Sequence, residues 1–260
     1  SGQNLAKQVT INVIFNAFGF MIGGFLGDIS IKLTFNAQVL GLLFLGLLYF
    51  LFVADGEHAK TKLDLKYVAR NSNPFQAFID GREILTYTIV IFLLMCVATS
   101  FATTCYEQCF NYYIKDQFGF PPSANGMLKA AVGTITFIAN STICTYLLKK
   151  TNIVKSVVYV LMVCFSMMIS IILLDSIVPF IVMNVVFFGF NAIYQPLLQA
   201  MINLLVEKEK TGMLAGLFNS MRSFGMMGGS LLAGFIYGVG PKMAFVVSAI
   251  AFAIAITCSI

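Results

Sequence analysis

Runs of about twenty apolar residues recur from one end of the chain to the other, broken only by short clusters of charged residues, glycines and prolines. A soluble domain has no way to bury that much apolar surface, whereas a bilayer solvates it directly. Composition agrees: of 260 residues, 59% are hydrophobic and 10% charged, with a mean hydropathy of +0.89, far from the balance of a soluble globular domain. Runs of this length imply helices, because membrane barrel strands read as alternating segments of roughly ten residues. The sequence therefore predicts an all-α membrane protein.

Breaks at the charged and Gly/Pro clusters give eight expected spans, at about 8–27, 33–53, 84–113, 124–148, 154–174, 178–206, 212–237 and 243–260. With the start placed in the cytoplasm, the inner loops hold Lys7, Lys60, Lys62, Lys66, Arg70, Arg82, Lys149, Lys150, Lys155, Lys208 and Lys210. The outer loops hold only Lys32, Lys115 and Lys242. This excess of inner positive charge sets the orientation and accounts for the net charge of +5 without any nucleic-acid partner. The protein is thus expected in the cell membrane, multi-pass, with its one long polar loop, 54–83, in the cytoplasm. The six cysteines (Cys96, Cys105, Cys109, Cys144, Cys164 and Cys258) fall in apolar segments and read as packing residues. The single histidine, His58, lies in the loop, so neither a histidine-based metal site nor a cofactor is expected.

The polar loop divides the chain into residues 1–53, with two spans, and residues 84–260, with six. An internal repeat matches that division. At an offset of 206, VIFNAFGFMIGGFLG aligns with LFNSMRSFGMMGGSLLAG, pairing Phe18 with Phe224, Gly19 with Gly225, Met21 with Met227, Gly23 with Gly229 and Leu26 with Leu232. The offset corresponds to six spans, the period of transporters built from two parallel halves.

Two stretches, YYIKDQFGFPPSANGMLKAAVG (112–133) and LLVEKEKTGMLAGLFNSMRSFGMMGGSLLAGFIYG (204–238), give the chain its resemblance to the major facilitator superfamily, in particular the twelve-helix drug:proton antiporter branch. The first is similar to the family's outer loop between helices seven and eight, the second to the connection from helix ten to eleven. The resemblance implies a major facilitator-like helical bundle, with residues 1–53 as the last two helices of the N-terminal bundle, 54–83 as the central loop and 84–260 as the C-terminal six-helix bundle. It also implies four further helices ahead of this chain as its structural partners, and the 260-residue chain, which begins at Ser1, is then a fragment expected not to transport alone. The chain departs from the branch in its fifth-helix counterpart, GFMIGGFLG (19–27), which has glycines but no Gly-Pro pair.

Polar residues at helical spacing inside apolar spans mark faces turned away from lipid. Thr99, Thr103, Glu107 and Asn111 form one such stripe; Asn184, Asn191, Gln195, Gln199 and Asn203 form another. Lys129, Thr136 and Asn140 share a face, as do Asn219 with Arg222 and Asn12 with Asn16. The resemblance assigns these to helices seven, ten, eight, eleven and five, which adjoin the central cavity or the interface between halves. Pro196 is expected to kink its helix, with a role in gating as the functional version. The glycines at 225, 228, 229 and 234 are expected to pack helices closely.

Glu107, Lys129 and Arg222 are charges placed within spans, where a charge without a partner is costly. A carboxylate that is neutral when occluded and charged when wet is what proton coupling requires, and Glu107 is the candidate to bind protons or a cationic substrate; the static alternative is a Glu107–Lys129 bridge. Arg222 does not deprotonate, so it cannot carry the proton, but it can grip a carboxylate or phosphate. Its structural alternative is hydrogen bonding to helix carbonyls and Asn219. The expected substrate and proton site is therefore Glu107, Arg222, Lys129, Gln195, Asn191, Gln199, Thr103 and Asn16. The expected function is a secondary transporter that alternates access and couples to protons, exporting small amphipathic organic compounds. Its partners are then the solute, protons and the lipid bilayer. Uptake of a small anionic or zwitterionic solute is the second expectation, and a non-transporting receptor or scaffold a distant third. An enzyme is not expected: GFLGD (24–28) lacks the aspartyl protease spacing, GGSL (228–231) lacks the last glycine of a rhomboid-type site, and no nucleotide-binding signature occurs.

Overall fold

The computed structural model describes residues 2–52 and 81–259, with side chains from residue 15 onward. Most of the expected loop at 54–83, His58, and the side chain of Asn12 lie outside the described residues. Within them every regular element is helical: α1 (Gly2–Ile29), α2 (Ile31–Phe52), a short 3-10 turn (Gly81–Ile84), α3 (Tyr87–Phe118), α4 (Pro122–Lys150), α5 (Ile153–Leu173), α6 (Ile177–Leu205), α7 (Thr211–Val239) and α8 (Met243–Ser259). Five of these, α2 to α6, are long and apolar enough to cross a membrane. The expectation of eight spans is met to that extent. The described apolar part of α1, Phe15–Ile29, and the 17-residue α8 are shorter, and in α7 glycine, serine and Arg222 dilute the apolar residues.

Local chemistry fixes where helices start and stop. Thr86 Oγ1 accepts from the Ile89 amide at 3.4 Å and opens α3. Gly119, at φ 65°, ends it in the left-handed conformation that glycine adopts without penalty. Pro122 follows as the first residue of α4, where its missing N–H costs nothing. The α3 helix runs on to Phe118, past the end expected at 113, because the polar residues Asn111, Lys115 and Asp116 continue the helix rather than break it. Within α4 a π-helical turn spans Asn140–Cys144, which the apolar pattern did not announce.

Helices α3 and α7 lie side by side in parallel: Cys96 Sγ donates to the Phe218 carbonyl and Cys109 Sγ to the Ala233 carbonyl. On α3's far side, Ser248 Oγ of α8 donates to the Ala102 carbonyl at 3.0 Å. An aromatic cluster of Tyr106, Phe110, Phe180, Phe187 and Phe245 ties α3 to α6 and α8, with Tyr106 and Phe187 centroids 4.6 Å apart. Helix α5 packs on α6 and α8, α4 lies along α6, and α1 crosses α4. Helix α2 rests on α1 and buries none of its residues, so its apolar side chains face outward all round.

Two ends of the bundle differ in charge. One carries the exposed Arg82, Lys149, Lys150, Lys155, Lys208 and Lys210. At the other, polar bonds join neighbouring helices: Asp28 Oδ1 accepts from the Ser123 amide at 3.0 Å, Tyr237 Oη donates to Asp116 Oδ2 at 2.8 Å, and Lys242 Nζ pairs with Asp175 at 2.7 Å. Asp28 thereby places a carboxylate at the amino end of α4, where the helix dipole favours negative charge.

Glycine permits the two closest helix crossings. A Cβ on Gly225 would meet the Val97 carbonyl oxygen at 2.5 Å, and one on Gly229 the Phe101 carbonyl oxygen at 2.7 Å, so α7 lies against α3 backbone to backbone. In the same way Gly24 of α1 and Gly126 of α4 face each other across their crossing. A Cβ on Gly228 would make only ordinary contact with Phe101, and Gly234 has open space beside it, so of the four glycines expected to pack closely Gly225 and Gly229 do and Gly228 and Gly234 do not. Gly229→Val should force α3 and α7 apart at a cost of about 1–3 kcal/mol, lowering the thermal unfolding midpoint in detergent. Gly234→Ala should leave it unchanged or slightly raised. Equal behaviour of the two variants would contradict the packing described.

Candidate functional site

The residues of α3 divide between two faces. Tyr106 and Cys109 are buried, while Thr103, Thr104, Glu107 and Asn111 turn toward a cavity of about 400 Å³ that Phe110 also lines. Helix α4 contributes Lys129 and Thr136 to its wall, α6 contributes Asn191 and Gln195, α7 contributes Arg222 and Met226, and α1 contributes Phe20. Five helices therefore converge on one space whose largely apolar wall carries polar and charged side chains. Lining volumes of this order suit a small organic molecule.

Six of the eight sequence-predicted site residues line this cavity: Glu107, Arg222, Lys129, Gln195, Asn191 and Thr103. Gln199 and Asn16 do not; both are exposed elsewhere on their helices. The reason is geometric. Each four-residue step overshoots a 3.6-residue turn by about 40°, so a stripe read at spacing four drifts off its face. Gln199 and Asn203 have rotated away from the wall that Asn191 and Gln195 share. By the same drift Thr99 turns into the bundle, where its hydroxyl donates to the Met95 carbonyl at 2.9 Å, and Ser100 takes the cavity position. Asn184 is likewise buried, with Nδ2 donating to the Phe180 carbonyl at 2.6 Å. Asn140 and Asn219 do not line the cavity either.

One polar bond ties the wall across helices and another lies within it. Thr103 Oγ1 donates to Asn191 Oδ1 at 3.0 Å, joining α3 to α6, and within α6 Gln195 Nε2 donates to Tyr194 Oη at 2.6 Å. Pro196 lacks the N–H that would bond the Ala192 carbonyl, so the α6 ladder is interrupted at a residue that itself lines the cavity. Ser100 Oγ, Asn111 Oδ1 and Gln195 Oε1 are buried at the wall without a hydrogen-bond partner among the described residues. Unsatisfied acceptors of this kind are rare and cluster where water or a ligand completes the set.

The three charges are not neutralised pairwise. Among the described residues no ion pair joins Glu107 to Lys129; the Lys129 ammonium instead lies 5.3 Å from the centroid of the Phe20 ring. Arg222 makes neither an ion pair nor a side-chain hydrogen bond with any described residue, so the scaffold role through Asn219 has no contact behind it. Sequence reading missed Phe20 and Ser100. Phe20 lies in an all-round apolar run, and only its position one turn from Gly24, at the α1–α4 crossing, marks it.

The chain matches no protein-family model and no curated protein.

The cavity placement predicts a labelling pattern. Thr103→Cys and Gln195→Cys should react with a small water-soluble thiol reagent, whereas Ser248→Cys, fully buried between α8 and α3, should not. Five of the six native cysteines are buried, so a Cys258→Ser background suffices. Comparable labelling rates at Ser248→Cys and Thr103→Cys would overturn the assignment.

Proposed function

We propose that the protein is a proton-coupled secondary transporter of the major facilitator type, moving a small amphipathic organic compound through the cavity between its helices, with efflux as the direction. The observation that carries this reading is the convergence of Glu107, Lys129, Arg222, Asn191 and Gln195 on one cavity within apolar helices. Charges in such a setting are costly and are kept where a solute or ion uses them. The close α1–α4 crossing supports the resemblance, since it joins the counterparts of helices five and eight from the two halves. In this reading the end bearing Arg82, Lys149, Lys150, Lys155, Lys208 and Lys210 faces the cytoplasm of a cell membrane, and further helices ahead of α1 complete the cavity wall.

Glu107 is the proton-carrying group, because it is the titratable carboxylate in the cavity wall and is open to its interior. Arg222 and Lys129 hold or exclude charge on the solute. The second reading, uptake of an anionic or zwitterionic solute, is favoured by Arg222, which has no ion-pair partner among the described residues. Transport in proteoliposomes containing the full-length protein tests the proposal: an imposed pH gradient should drive solute flux, and Glu107→Gln should abolish the gradient dependence. Full proton-coupled flux in Glu107→Gln would remove Glu107 from this role. No gradient-driven flux in the unaltered protein would favour a receptor or scaffold.

A further inference from the structure

We propose that the cavity takes an amphipathic organic monocarboxylate, its carboxylate held by Arg222 and its apolar body seated against Phe20, Phe188 and Met226. This rests on the transport reading and deepens it by naming the class of solute. Among the described residues, the charged groups lining the cavity are two cations, Lys129 and Arg222, and one carboxylate, Glu107. With all three ionised, these groups together carry one net positive charge, which a monoanion cancels. A cationic solute would add to it.

The two cations are not equivalent. Lys129 has the Phe20 ring beside its ammonium. Arg222 has no acidic or hydrogen-bonding partner among the described residues. A guanidinium is planar and presents a fixed fork of donors that matches the two oxygens of a carboxylate, so the unpaired group on the wall is also the one shaped for this ligand.

Helix register separates the charges along the cavity. The parallel contacts of Cys96 with Phe218 and Cys109 with Ala233 put Arg222 level with the segment around Thr99 on α3. Glu107 is then about two turns, or ~11 Å, farther along the same axis. Arg222 and Glu107 therefore sit at different levels of the cavity wall, with Phe188 and Met226 among the apolar wall residues. A carboxylate bound at Arg222 keeps clear of Glu107, and an apolar tail fits the wall that remains. A second carboxylate on the solute would meet Glu107.

Three probes of one skeleton test the proposal: 4-phenylbutyrate, its neutral amide and the cationic 4-phenylbutylamine, measured by equilibrium binding to the full-length protein in lipid nanodiscs. The carboxylate should bind about tenfold to a hundredfold more tightly than the amide or the amine. Arg222→Gln should remove that advantage, and an unchanged thermal unfolding midpoint shows that the variant is folded. Arg222→Lys should restore part of it. Tightest binding of the amine, equal binding of all three probes, or carboxylate affinity unchanged in Arg222→Gln would overturn the proposal. Flux of the same probes in proteoliposomes separates it from the transport reading. Carboxylate-selective binding without flux sinks transport and keeps the ligand class; gradient-driven flux of amide or amine in preference to carboxylate does the reverse.

Discussion

The contact on which the cavity depends is the one without side chains. Because Gly225 and Gly229 let α7 lie against the backbone of α3, the two helices run in register along their length, with a thiol–carbonyl contact near each end of the shared stretch. That register puts Arg222 and Glu107 on the walls of one cavity rather than on separate surfaces. Apolar burial alone would not have produced it. In a membrane environment lipid tails are as good a neighbour as leucine, so helix association depends on close backbone approach and on the few polar ties that cross between helices.

Against this rigid pair the remaining helices are held by different means. Aromatic stacking joins α3 to α6 and α8 through Tyr106, Phe187 and Phe245, a broad apolar contact that tolerates little displacement. Helix α1 meets α4 through a narrow crossing at Gly24 and Gly126 with one amide–carboxylate bond beside it, and α2 buries nothing. The C-terminal helices thus form a well-packed unit, while α1 and α2 are attached along a single edge.

Much of the architecture was legible in the sequence because lipid-compatible helices announce themselves by length and composition. Cap chemistry at Thr86, Gly119 and Pro122 explains why the breaks fall where they do. The charged members of the candidate site were legible for the same reason, since Glu107, Lys129 and Arg222 stand out in apolar runs. Faces were harder to assign. A spacing of four is close enough to a helical turn to read as a stripe over two residues but not over four, which is why Asn191 and Gln195 reach the wall and Gln199 does not. Pairing across helices was not legible at all: whether Lys129 meets Glu107 or an aromatic ring depends on how α1 lies on α4, and that is a tertiary property.

Phe20 joins two of these facts in one residue. Its backbone carbonyl faces Gly126 at the helix crossing, and its ring lies beside the Lys129 ammonium. Any tilt or slide of α1 over α4 therefore moves the ring relative to the cation and changes how much water the ammonium sees. A change at the Gly24–Gly126 crossing would thus be felt at the Lys129 ammonium as well as in the packing of the two helices.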